Sequence, residues 1–187
     1  TLTGSATTGS TATLDINNPA FIPRTGDSAF CGSFGELTGS YKVTSPDYLG
    51  VDHEIVTPLT SPAGTTYEGT IHAESEGNLL MHGEAFAVEC KSTLAAEFGS
   101  QSSTTTATGS VTTLSFSGCS FPVTVLSLGT LQIHSTGKGN ATVTWTGGKF
   151  TVDGPFGINC LYETNATDIG TLTGSATTGS TATLDIN

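Results

Sequence analysis

Thr1-Leu2-Thr3-Gly4-Ser5-Ala6-Thr7-Thr8-Gly9-Ser10-Thr11-Ala12-Thr13-Leu14-Asp15-Ile16-Asn17 opens the chain, and the same letters return as residues 171–187. The offset, 171 − 1 = 170 residues, is the size of one domain, and self-similarity at a fixed period marks a repeat. Ala12, Leu14 and Ile16 alternate with Thr11, Thr13 and Asp15, the period of a half-buried strand. Thr1 to Ala6 reads as a second short strand, and Thr7-Thr8-Gly9-Ser10 as the turn between them, so each copy predicts a β-hairpin. A sheet has one place for a given strand. Two identical copies therefore predict that one completes this unit and the other belongs to a neighbour. The assembly strand read this way is Thr11, Ala12, Thr13, Leu14, Asp15 and Ile16, with its repeat Thr181, Ala182, Thr183, Leu184, Asp185 and Ile186.

Composition agrees with that β reading. The chain has 187 residues, 35% hydrophobic and only 11% charged, with 24 Gly and one Met. Threonine, a strand former, makes up roughly a fifth of it. Helix formers are scarce. The formal net charge of −11 leaves five basic residues, Arg24, Lys42, Lys91, Lys138 and Lys149, and no basic stripe, which argues against nucleic-acid binding. No apolar run reaches the length of a membrane span. The chain starts at Thr1 rather than Met, as a region downstream of a removed signal peptide does.

Cys31, Cys90, Cys119 and Cys160 lie far apart with no CxxC spacing, so neither a zinc cluster nor a redox motif fits. Two structural disulfides in an oxidising, extracellular compartment are expected, each worth on the order of 3 kcal/mol. Three connectivities are open. Cys90 with Cys119 is favoured because each closes a strand-like run and the two runs are sequential neighbours, which leaves Cys31 with Cys160.

Along the chain, short strand-like runs recur every 8–12 residues. They fall at Glu36–Thr44, Thr66–Ser75, Leu80–Cys90, Val111–Ser117, Val123–Leu128, Thr130–Ser135 and Ala141–Trp145, and around Phe150, Val152, Ile158, Cys160 and Tyr162. Ser92 to Phe98 predicts one helical turn. Ten to twelve strands at this spacing predict an all-β fold, an antiparallel β-sandwich or a Greek-key or jelly-roll-like barrel held by disulfides. The Pro/Gly-rich stretch 45–64 is the best linker candidate. The expected division is 1–52 as the C-terminal part of one β-unit and 53–187 as the N-terminal and central part of the same or the next.

The run from Gly170-Thr171-Leu172-Thr173-Gly174 through Ala182-Thr183-Leu184-Asp185-Ile186, with Ile22-Pro23-Arg24-Thr25-Gly26 and Phe30-Cys31-Gly32, resembles a group of small secreted bacterial proteins. Leu37-Thr38-Gly39-Ser40-Tyr41 and Ser45-Pro46-Asp47-Tyr48-Leu49 resemble their C-terminal end. Gly129-Thr130-Leu131-Gln132-Ile133-His134 and Cys160-Leu161-Tyr162 resemble their middle. That group has no established activity, so the resemblance carries over no catalytic or binding residue. It implies an order in which residues like 53–170 come first and residues like 1–52 last. A tandem array, a fibre cut at an arbitrary place or a permuted chain with a duplicated strand each yields the order seen here.

Candidate chemistry is thin. His53, His72, His82 and His134 lack HxxxH or HExxH spacing and read as surface strand positions. Glu74, Glu76 and Glu84 offer a carboxylate pair but read as solvated side chains. Asp47 and Asp52 flank a loop without calcium-loop spacing. No GxSxG elbow occurs. Trp145 with Tyr162 or Tyr41 is a candidate sugar platform, although Trp145 alternates in phase with Val143 as a core residue does. Asn140-Ala141-Thr142 and Asn165-Ala166-Thr167 match the glycosylation acceptor pattern and read as turn residues in a bacterial chain. No catalytic residue, metal or cofactor is assigned. The sequence predicts a structural subunit of an extracellular or cell-surface, pilus-like fibre, self-associating into a homopolymer through strand sharing (donor-strand exchange) or tandem linkage. The alternative is a secreted adhesin or carbohydrate-binding module that meets a glycan or surface ligand.

Overall fold

The computed structural model describes residues 13–25, 31–32, 34–46, 50–51, 59–60, 67–83, 86–101, 105–137 and 140–173. The described elements are β1 (Thr13–Thr25), β2 (Phe34–Ser45), β3 (Gly50–Val51), β4 (Leu59–Thr60), β5 (Gly69–Ser75), β6 (Leu79–His82) and β7 (Ala87–Phe98). They continue with β8 (Thr106–Ser117), β9 (Val123–Ser127), β10 (Thr130–Gly137), β11 (Asn140–Thr146), β12 (Lys149–Asp153), β13 (Asn159–Glu163) and β14 (Thr167–Thr173). A 3-10 turn, Pro155–Gly157, sits between β12 and β13. The protein is all-β, antiparallel and disulfide-bonded, as the composition and spacing predicted.

The pairings close on themselves. β1 pairs with β2; β2 with β5 and β6; these two with β7; and then β8, β10, β11 and β14 follow, with β14 returning to β1. β5 and β6 run in one direction and share one place, so the ring has eight positions, all antiparallel. Neighbours follow chain order, which makes the ring an up-and-down barrel without free edges. β9, β12 and β13 leave the ring to form a smaller sheet, attached where Arg24 and Thr25 of β1 pair with Tyr162 and Leu161 of β13. Both halves expected from the sequence contribute to the ring: β1 and β2 lie within residues 1–52, and β5 to β14 within 53–187.

Strict alternation decides which side chains fill the barrel. Ala141, Val143 and Trp145 on β11 point inward and are buried, as are Leu131, Ile133 and Ser135 on β10. The exposed side chains between them on β10 are Gln132, His134 and Thr136. An apolar inside and a polar outside is the inverse of a lipid-facing barrel. Bulky rings fit because glycine lies opposite them: a Cβ on Gly109 would stand 2.7 Å from the Phe98 ring, and one on Gly148 2.1 Å from the Trp145 ring.

Residues 92–98 are strand, not the predicted helical turn. Leu94-Ala95-Ala96 has helical propensity, but β7 has partners on both sides, β5 and β8, and cross-strand pairing overrides a weak local preference. Ala96 faces the interior, whereas Ala95 is covered on the outer face beside His72, Thr93 and Thr113, so two consecutive residues are buried and imitate a helical apolar pattern. The predicted run Leu80–Cys90 is likewise a hairpin, β6 and β7, whose turn is closed by Gly83 N–H donating to the Phe86 carbonyl at 2.9 Å. Between β5 and β6 the chain bulges at residues 76–78. Opposite the bulge Gly39 adopts φ +146, and Leu79 fills the space its side chain would need.

The bridges are Cys31–Cys160 and Cys90–Cys119. The first ties the segment before β2 to β13, and the second ties β7 to the turn after β8. Inside the barrel Tyr41 is 5% exposed, and its hydroxyl donates to Ser92 Oγ at 2.8 Å. Burial pushes the Tyr41 phenol up to about 12, against the smaller opposing effect of the Ser92 contact. The unfolded phenol ionises near the ordinary tyrosine value of 10.0, so above that pH the unfolded chain loses a proton that the folded chain keeps. Stability is therefore unaffected by this group below about pH 10 and falls between about pH 10 and 12, by roughly 3 kcal/mol. Burial also raises Tyr67, which acts with the same sign. Urea midpoints measured from pH 8 to 12 should fall less steeply for Tyr41→Phe than for the parent; parallel curves would show that the phenol does not ionise on unfolding.

Candidate functional site: the barrel closure

The duplicated segment meets the fold where the ring closes. Thr13, Leu14, Asp15 and Ile16 of β1 pair with Lys42, Tyr41, Ser40 and Gly39 of β2. On the other edge Leu14 pairs with Leu172 and Asp15 with Thr171 of β14. Subtracting the period, 172 − 170 = 2 and 171 − 170 = 1, so Leu172 and Thr171 repeat Leu2 and Thr1. Among the described residues the two copies thus pair with each other. The strand from the first copy is the predicted hairpin's second strand, and the strand from the second copy is its first. Thr11, Ala12 and the repeat Thr181, Ala182, Thr183, Leu184, Asp185 and Ile186 lie outside the described residues, as do residues 1–12 as a whole.

β1 is anchored beyond this pair. A bulge between Ile16 and Ala20 realigns it so that Ala20 to Pro23 pair with Leu37 to Phe34. Once those residues are in place, adding Thr13 to Ile16 orders only four more residues and needs no further loop closure.

Other sequence candidates are not brought together. His72, His82 and His134 are exposed on three different strands, and among the described residues no group of three or more His, Cys, Asp or Glu is placed to hold a metal ion. His134 Nδ1 instead shares a 3.0 Å hydrogen bond with Thr106 Oγ1 across β10 and β8. Glu74 and Glu76 are exposed. His53, Glu84, Asp47 and Asp52 lie outside the described residues. The aromatic platform is absent: Trp145, Tyr162 and Tyr41 are 6%, 5% and 5% exposed. Trp145 is a core residue, stacked on Phe150 at 6.4 Å with its Nε1–H donating to the Leu128 carbonyl at 2.8 Å. Asn165 occupies a turn in which its backbone N–H donates to Thr167 Oγ1 at 3.3 Å and Ala166 takes φ +53, while Asn140 begins β11. Among the described residues the exposed large apolar side chains are Leu126 and Phe156.

Fold and closure together define a disulfide-bonded, up-and-down β-barrel whose first and last described strands are neighbours. No family model, curated protein or solved structure matches this chain. Among the described residues no helix is long and apolar enough to cross a membrane.

Proposed function

We propose that the protein is a structural subunit of an extracellular fibre, joined head to tail through the duplicated segment, as the resemblance to small secreted bacterial proteins and the two disulfides allow. The observation that carries this reading is the pairing of Leu14 with Leu172, one from each copy. Each unit spends the second strand of its first copy and the first strand of its second copy on its own barrel. The other halves, Thr1 to Thr3 and Thr183 to Ile186, repeat the sequences of these two strands. The C-terminal half of one unit therefore matches Thr13 to Ile16 of the next, and by displacing those residues it would form the same main-chain hydrogen bonds. Donor and acceptor differ, so the relation is heterologous and propagates into a filament unless it closes a ring.

Lys42 pairs with Thr13, whose repeat is Thr183. In a Lys42→Cys/Thr183→Cys variant, oxidation should yield a ladder of cross-linked multimers on non-reducing gels, and negative-stain images should show filaments. Uniform monomers by both measurements would sink the proposal.

A further inference from the structure

The outer surface of a barrel is convex, yet a hollow of about 240 Å³ opens on this one, walled by Ser45, His72, Glu74, Thr93, Ala95 and Thr113. Cross-strand register sets these residues in two rows. Ser45 pairs with His72, His72 with Ala95 and Ala95 with Thr113, on β2, β5, β7 and β8 in turn. In the second row Glu74 pairs with Thr93, and Lys42 and Ser115 stand at the two ends.

Two local features make the hollow. The register slips on both flanks of the first row, at Thr44 on β2 and at Thr112 on β8, so each of those strands carries an extra residue. Such a bulge bends its strand and re-aims the side chains beside it. Each bulged threonine is tied to the row: Thr44 Oγ1 donates to the His72 carbonyl and Thr112 Oγ1 to the Ala95 carbonyl, both at 3.4 Å. Between the two bends stands an alanine. Ala95 is 4% exposed, whereas His72, Glu74, Thr93 and Thr113 around it are exposed. Ala95 is therefore the floor of the hollow, and the longer side chains are its rim.

We propose that this hollow binds one neutral sugar ring of the pyranose class. A cavity of roughly 150 Å³ takes benzene, so this larger space, open at its rim, admits a six-membered ring with its hydroxyls. The rim supplies both halves of a hydrogen bond. The Glu74 carboxylate accepts from two neighbouring hydroxyls, the Ser45 and Thr113 hydroxyls donate and accept, and the neutral His72 ring does one of each. A sugar hydroxyl likewise donates and accepts. The Ala95 methyl leaves an apolar floor for the ring's C–H face. Charge argues against ionic ligands. An anion meets Glu74 in a chain of net charge −11. A cation meets a single carboxylate with Lys42 across from it on the neighbouring strand. The site uses no residue of the duplicated segment, so it stands apart from the fibre reading.

The test is an NMR titration of the isotopically labelled protein with the methyl α-glycosides of glucose, mannose and galactose, and separately with spermidine as the cationic comparison. At least one glycoside should give saturable shifts at the backbone amides of His72, Ala95 and Thr113, and spermidine should not. Glu74→Ala, at an exposed position, should weaken that binding about tenfold, as loss of hydrogen bonds to a charged group does. Ala95→Leu fills the floor and should abolish the shifts while far-UV circular dichroism stays unchanged. Absence of saturable shifts with all three glycosides, unchanged affinity in Glu74→Ala, parent-like binding by a folded Ala95→Leu, or shifts at these amides from spermidine instead would each overturn the proposal.

Discussion

Replacing Cys31 and Cys160 together by alanine is expected to lower stability by about 5 kcal/mol, more than replacing Cys90 and Cys119, which should cost between about 3 and 4 kcal/mol. The ranking follows from the loops. The first bridge joins positions separated by 129 residues and the second by 29, and the chain entropy removed from the unfolded state grows with the logarithm of loop length. The long bridge also fixes the segment before β2 to β13, so it holds the smaller sheet against the barrel in the region where Tyr162 packs beside Cys31, its hydroxyl 3.5 Å from the Cys31 carbonyl oxygen. Against a total stability of about 5–15 kcal/mol, loss of the long bridge leaves the barrel close to unfolding. Urea midpoints of the two double variants, with unchanged slopes, measure this directly. Equal costs would show that unfolded-state entropy does not set the contribution of these bridges.

Trp145→Ala is expected to cost about 3–5 kcal/mol. The ring is 6% exposed and lines the same cavity as Leu131, Leu114 and Phe116, so truncation enlarges an existing void rather than letting the core collapse. The Leu128 carbonyl also loses the indole N–H that donates to it, which adds about 1 kcal/mol. Trp145→Phe keeps most of the apolar volume and loses the hydrogen bond, so it should fall between the parent and the alanine variant. The protein has one Trp, so the variants are compared by far-UV circular dichroism. A cost below about 1 kcal/mol for Trp145→Ala would mean that the indole packs on the surface of the core rather than within it.

How much of this was legible in the sequence differs between elements. Ala141, Val143 and Trp145 alternating with Thr142, Thr144 and Thr146 are strand β11 by local pattern alone, because period-two burial needs no knowledge of the partner strand. Cys90 and Cys119 could be placed together because the runs that carry them are sequential neighbours, although Cys90 lies inside β7 and not at a strand end. Ser92 to Phe98 could not be read locally: Ala95 and Ala96 are buried on opposite faces of β7, and no single-strand pattern encodes the neighbouring strands that cover the outer one. Ser135, buried on β10, was silent for a related reason. A serine in a Thr/Ser-rich strand looks like its exposed neighbours until the ring closes and decides which face is inside.

The duplicated segment divides in the same way. Its letters determined that there are two copies of a strand-forming sequence 170 residues apart, that helices are disfavoured and that the fold is all-β, because those properties depend on composition and short-range alternation. Only the tertiary structure decided that the closing strand pair draws one strand from each copy, Leu14 from the first and Leu172 from the second. Identical sequences carry identical local preferences. The choice between them falls to the long-range pairings that hold the rest of β1 against β2 and β13.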